Sequence, residues 1–210
     1  MPPTLTLDAA GSPEAGHHKN RMLRALQSAL RAPAADDEAL EAGLVEALLA
    51  YDDYRDHVQT AHPMQCAVGC TACCHDNPRG VAGVELERLA RVISTWPDAE
   101  AVKARLLALS QAADRDPRRW RARRQPCPLL DDSGRCRAYT HRPIACRAFV
   151  ALTPASWCDP ADPRHDERVN PHLDPPQVLL QILMALSARR GLPASADLQG
   201  GLAALLARSG

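Results

Sequence analysis

Cys66, Cys70, Cys73 and Cys74 stand in C-A-V-G-C-T-A-C-C-H, and Cys127, Cys136, Cys146 and Cys158 follow downstream. These eight are all the cysteines of a 210-residue chain. Thiolate sulfur is the ligand of soft and borderline metals, and four such sulfurs suit either Zn²⁺ or an iron-sulfur cluster. Cys66-x₃-Cys70-x₂-Cys73 brings three sulfurs within one or two turns, so three thiolates can converge on one centre. Cys74 diverges from Cys73 by about 100 degrees on a regular helix. It therefore serves a second centre, joins through an irregular backbone, or is a buried spectator. Eight sulfurs divide into two four-cysteine sites, but one site with spare thiols, or one larger cluster, is also compatible. A lone cysteine is often buried for packing alone, an explanation that fits poorly where four stand between residues 66 and 74.

The downstream set reads C-P-L-L-D-D-S-G-R-C-R-A-Y-T-H-R-P-I-A-C-R-A-F over 127–149, then Cys158. Asp131 to Gly134 predicts a tight turn between Cys127 and Cys136, and Pro143 limits the backbone before Cys146. Such turns fold a loop back so that distant sulfurs meet. His75, beside Cys74, is the better substitute ligand, and His62 reads as supporting or solvated, because thiols are in surplus. His141, His165 and His172 carry weaker claims, and His17 and His18 read as solvated. Arg147 next to Cys146 could lower a thiol pKa and make a nucleophile or redox switch, yet no histidine base stands at a diagnostic spacing. H-E-x-x-H, G-x-S-x-G and a glycine-rich phosphate loop are absent.

Those sulfurs need a scaffold, and the rest of the chain predicts helices. Residues 1–18, with Pro2, Pro3, Gly11, Pro13 and Gly16, read as a flexible N-terminal tail. N-terminal helices occupy 19–60. Met22, Leu26, Ala29 and Leu30 mark one over 21–31, and Leu40, Leu44, Leu48 and Tyr51 mark another over about 37–60, started by Asp36 and Asp37. The cysteine-cluster domain, 62–165, encloses two more, Val84 to Trp96 and about 98–115, stopped by Pro97 and Pro117, with Asp98 as a cap. C-terminal helices over 174–208 pack on the same domain, the first opened by Asp174 and ended by Arg189-Arg190-Gly191. The apolar fraction is 46 %, mostly Ala and Leu, with one Phe, three Trp and three Tyr, which favours helical packing. The expected fold is therefore mainly α: a small helical domain with an irregular cysteine-rich metal-binding core.

Lys+Arg and Asp+Glu are 25 each, so no net field draws the chain to nucleic acid or an anionic membrane. The run Arg118, Arg119, Arg121, Arg123 and Arg124 around Trp120 reads as a solvated helix face anchored by the tryptophan. A second reading makes it a counter-charge to a thiolate centre. No basic-then-apolar leader and no apolar run of about 18 residues is present, so the cytoplasm is the expected compartment. A reducing compartment makes closely spaced cysteines thiolate ligands before disulfides.

The joint pattern Cys66-x₃-Cys70-x₂-Cys73-Cys74, Cys127-Pro128-Leu129-Leu130, Gly134-x-Cys136-x-x-Tyr139 and Arg142-Pro143-x-x-Cys146-Arg147-x-Phe149 resembles the YkgJ-type cysteine-cluster family, described as zinc- or iron-chelating proteins. The resemblance covers about residues 62–150. It implies a small cytoplasmic bacterial protein that holds an iron-sulfur cluster or zinc through these cysteines. The cysteine region is also similar to that of flagellin lysine methylases, which use S-adenosylmethionine, but the chain is shorter and lacks a glycine-rich cofactor loop. Radical enzymes share C-x₃-C-x₂-C, yet the immediate fourth cysteine and the helix-dominated chain argue against that class. All eight cysteines are thus candidate ligands. The expected function is an iron-sulfur-cluster-binding protein of unassigned redox, sensing or catalytic role, with a zinc-chelating structural or interaction protein as the alternative. A protein or small-molecule partner is left open, nucleic acid is not expected, and no membrane is.

Overall fold

The computed structural model describes residues 12–66, 70–75, 78–112, 125–159, 161–169, 173, 175 and 177–208. The first helix, α1 (Pro13–Arg31), starts inside the segment expected to be a flexible tail. Its start signal is local: Ser12 Oγ accepts from the Ala15 N–H at 3.0 Å, Pro13 fills the first turn, and Glu14 complements the helix dipole. α2 (Asp37–Ala61) begins where Asp36 Oδ1 accepts from the Ala39 N–H at 2.9 Å. Along it Leu40, Leu44, Ala47, Tyr51, Tyr54 and Val58 form one buried stripe against Met22, Leu26 and Ala29 of α1. The two helices cross closely at Gly43, where an added Cβ would lie 2.8 Å from Ala29 Cβ and 2.9 Å from the Ala25 carbonyl oxygen.

From the end of α2 the chain runs through a single turn of 3₁₀ helix at Ala72–His75 into β1 (Val81–Ala82), then α3 (Gly83–Ser94) and α4 (Ala99–Ala112). α3 ends two residues before Trp96, short of the expected boundary. The expected continuation of α4 to 115 and the arginine run 118–124 lie outside the described residues. After the downstream cysteines comes α5 (Ile144–Arg147), then α6 (Gln177–Arg189), β2 (Ser195–Ala196) and α7 (Leu198–Arg208). β1 and β2 pair antiparallel, Val81 opposite Ala196, and this bridge was not predictable from two-residue segments without alternation. α7 therefore starts three residues later than expected, where Asp197 Oδ1 accepts from the Gly200 N–H at 2.8 Å. The cap expected at Asp174 lies outside the described residues, whereas the end of α6 matches expectation, with Gly191 at φ +68.

The core has two parts. One joins α1, α2 and α6 with Ile144, Ala148 and Leu173; the other joins α3, α4 and α7 with Leu129 and Ala138. α5 stands where they meet. Positions four apart share a helix face, so Ile144 and Ala148 enter the first cluster while Cys146, between them, turns to the second. At the other end, Arg189 donates to the carbonyls of Leu30 and Ala32 and Arg190 to that of Ala34, tying α6 to the C-terminus of α1. The molecule is a mainly α-helical small domain.

Candidate metal centre

The two cysteine segments meet through their backbones. The Cys127 N–H donates to the Cys74 carbonyl at 2.8 Å, and the Gln65 N–H donates to the Ala151 carbonyl at 2.7 Å, which sets Cys66 beside the chain that leads to Cys158. Between Cys127 and Cys136 the predicted turn forms: Gly134, at φ +77, donates to the Asp131 carbonyl at 2.9 Å, and Leu130 bridges Cys136. Asp131 Oδ1 collects the Ser133 and Arg135 N–H groups, each at 2.9 Å, which holds its carboxyl below the usual range. The turn thereby stacks Cys127 and Cys136 at the two ends of one short hairpin.

Both hairpin sulfurs receive a backbone donor from two residues ahead. The Leu129 N–H points to the Cys127 sulfur and the Ala138 N–H to the Cys136 sulfur. Such N–H···S bonds stabilise thiolate and tune a bound metal or cluster. Burial works in the opposite direction. It pushes the Cys127 thiol up to about 12, with the neighbouring Cys136 and Cys73 adding to the rise. Burial likewise raises Cys136 and Cys146, the latter with Cys127, Cys73 and Cys136 around it. Cys73, Cys127, Cys136 and Cys146 are therefore within electrostatic reach of one another in every pairing. All four, with Cys74, line one cavity of about 1040 Å³.

The remaining cysteines gather elsewhere. Burial raises the Cys66 thiol, the Ala151 N–H lowers it, and Cys70, Cys73 and Cys158 raise it further, so Cys73 stands between the two groups. The turn at Ala72–His75 also packs against the turn at Ala155–Cys158. Cys73 and Cys74 are consecutive on a 3₁₀ turn, and Cys74 adds its carbonyl to the Cys127 anchor. Among the described residues, no three His, Cys, Asp or Glu side chains are gathered tightly enough to hold one metal ion. The expected irregular cysteine-rich metal-binding core is thus corrected: the described thiols form two loose groups and no clustered site. Those sulfurs ride on turns and single-turn helices.

Two of the histidines are engaged with backbone. His75 Nδ1 lies 3.2 Å from the Thr71 carbonyl, and His165 Nδ1 lies 3.0 Å from that of Trp157. Burial lowers the pKa of His141, and His172 lies outside the described residues. His18 is on α1 within 6.2 Å of the His57 ring, so it is packed rather than part of a solvated tail. Arg147 does not activate Cys146. Its guanidinium pairs with Asp52 of α2 and donates to the Arg142 and Thr140 carbonyls, while the thiol it neighbours is raised.

Three acids escape sequence reasoning and hold the cysteine segment in place. Asp52 takes Arg147, which is 4 % exposed. Glu85, 5 % exposed, accepts from the Ile144 N–H at 2.8 Å and from the Ala82 N–H at 3.1 Å, fixing the start of the helix that carries Cys146. Burial pushes its carboxyl up, against the two N–H donors and nearby Arg147 and Arg88. Asp98 receives two bonds from Arg137 at 2.7 Å, and that guanidinium lies 3.8 Å from the Trp96 ring centre. Asp98 was expected only as a cap.

Among the described residues no helix is long and apolar enough to cross a membrane. No curated protein and no solved structure matches the chain. One family model does, across residues 65–166, a span that contains all eight cysteines. Its name, CxxCxxCC, is met here with one extra residue between Cys66 and Cys70. Over residues 65–166 the chain is thus similar to the family described as "Putative zinc- or iron-chelating domain".

Proposed function

We propose that this domain holds an iron-sulfur cluster through Cys73, Cys127, Cys136 and Cys146, with Cys66, Cys70 and Cys158 as a separate outer group. The observation that carries the reading is that Cys73, Cys127, Cys136 and Cys146, drawn from separate turns, all line one cavity. The donor set is all sulfur, which fits iron-sulfur and zinc alike. A tetrahedral four-thiolate zinc site closes directly on its ion, whereas a cluster brings inorganic sulfide and occupies space between the cysteines. Eight cysteines exceed what one zinc site needs, and that surplus favours the cluster. When bound, such a centre supplies one-electron chemistry, with a potential set by burial and by hydrogen bonds to sulfur.

The chain's own residues do the rest. The Leu129 and Ala138 N–H groups stabilise thiolate at Cys127 and Cys136, and the hairpin turn and α5 bring Cys136 and Cys146 to the same cavity. Because burial favours the protonated thiols, loading displaces protons and draws the turns together, so binding and local ordering are linked. A zinc-chelating structural domain is the second reading, favoured by the same all-sulfur donor set.

The test is anaerobic purification with iron, sulfide and zinc quantified, repeated on single Cys→Ser variants. Substitution of Cys73, Cys127, Cys136 or Cys146 is expected to remove nearly all iron and sulfide, and that of Cys66, Cys70 or Cys158 to leave most of it. Stoichiometric zinc without sulfide would sink the cluster. Equal loss in both sets of variants would sink the partition.

A further inference from the structure

The cavity beside the sulfurs extends well past them. Its walls include Leu89 and Leu109 from α3 and α4, Leu180 from α6 and Leu205 from α7, and it is bordered by Arg79, Arg142 and Arg208. At about 1040 Å³ it lies at the upper end of the range of small-molecule sites, about 300–1,000 Å³. Two acids also line it, but both are committed to backbone donors. Glu85 accepts from the Ile144 and Ala82 N–H groups, and Asp197 Oδ1 accepts from the Gly200 N–H. Arg142 is held in position: its Nε donates to the Tyr139 carbonyl at 3.0 Å and its guanidinium stacks 3.6 Å from the Tyr139 ring centre. A largely apolar chamber whose carboxylates are satisfied internally and whose border carries three guanidinium groups is complementary to an apolar body with a negative head.

We propose that this cavity binds a small organic anion, a carboxylate with an apolar body, the head toward Arg142 and Arg208 and the body against Leu109 and Leu205. This goes beyond metal chelation and makes the cysteine domain a binding site for an organic molecule next to its thiols. It stands whichever metal the thiols hold.

Anilinonaphthalene sulfonate, itself an apolar-bodied anion, serves as the probe in fluorescence titrations of the full chain, with octanoate and octan-1-ol as competitors. One saturable site is expected, from which octanoate displaces the probe about 10-fold better than octanol, the effect of one charge-assisted contact. Leu109→Trp, which narrows the chamber where the apolar body lies, is expected to weaken binding. Arg142→Gln and Arg208→Gln are each expected to weaken it about 10-fold, with unchanged circular dichroism and unchanged iron, sulfide and zinc. Should the tryptophan variant fold poorly, the two arginine variants decide. Non-saturable fluorescence, equal displacement by octanol, or unaltered affinity in both arginine variants overturns the proposal. Metal analysis of the same samples keeps the two readings apart: probe binding without metal removes the cluster alone, and metal without probe binding removes the ligand alone.

Discussion

The helical frame and the cysteine segment are held by different physics. In α1, α2 and α6 the cohesion is apolar: Met22, Leu26, Leu44, Tyr51 and Leu183 are all at most 1 % exposed, and their helices were set by period and caps. Between Cys127 and Cys158 there is no helix longer than one turn, and the cysteines are only half-buried. That segment buries Leu129, Ala138, Ile144 and Ala148 in the core and is fastened in addition by three polar ties, each beside a cysteine: Asp52–Arg147 and Glu85–Ile144 flank Cys146, and Asp98–Arg137 adjoins Cys136. A frame held by packing tolerates small changes by repacking, whereas a segment without long helices depends more on each polar contact that sets its turns. The three ties differ in burial, which ranks them.

The largest effect is expected at Asp52. Arg147 is desolvated, and its burial already lowers its pKa against the pull of Asp52. Asp52→Ala would strand that guanidinium, at a cost of about 3 kcal/mol, the lower end for a broken buried pair because Asp52 is 27 % exposed. Urea unfolding measures it, and labelling of Cys146 by a thiol reagent should accelerate in the folded protein. A second change, Arg147→Leu, removes the stranded charge and should restore part of the stability. If Asp52→Ala unfolds within about 0.5 kcal/mol of the parent, the tie does not fasten the segment.

Glu85 comes next. Glu85→Ala leaves the Ile144 and Ala82 N–H groups without their acceptor in a dry site, expected to cost about 2 kcal/mol. Glu85→Gln keeps the shape and removes a charge that burial disfavours, but sets its NH₂ against one of the two N–H donors, so it should cost somewhat less than the alanine change. A glutamine variant as damaged as the alanine one would show that the start of α5 needs both carboxylate oxygens as acceptors.

The contrast also explains what the sequence disclosed. Leu40, Leu44, Leu48 and Tyr51 announce α2 because periodicity is local, and Asp131 to Gly134 announces its turn because turn chemistry is local. Ser12-Pro13-Glu14 carried an equally local signal for α1, masked by the prolines and glycines around it. The polar ties were invisible for the opposite reason: Asp52 and Arg147 are 95 positions apart and Glu85 and Ile144 are 59 apart, so their meeting is a product of the finished fold. The same holds for the grouping of Cys73 with Cys127, Cys136 and Cys146. Spacing places Cys73 with Cys66 and Cys70, and only the hairpin and α5 bring the other three beside it.

The smallest effect belongs to Asp98–Arg137, the solvent-exposed tie. Its two parallel hydrogen bonds hold the Asp98 carboxyl below its usual pKa, with Arg137 as the main cause. A carboxyl depressed in the fold contributes stability that is present above its unfolded pKa, about 3.9, and is lost as pH falls through the folded value. Asp98→Asn should therefore lower Tm slightly at neutral pH, and the difference from the parent should close as the pH drops below about 4. Salt should shrink it too, since exposed pairs are screened. A gap that persists in acid would mean that the amide loses something other than charge, namely the seat of Arg137 on Trp96, and would move this tie from the electrostatic side of the comparison to the packing side.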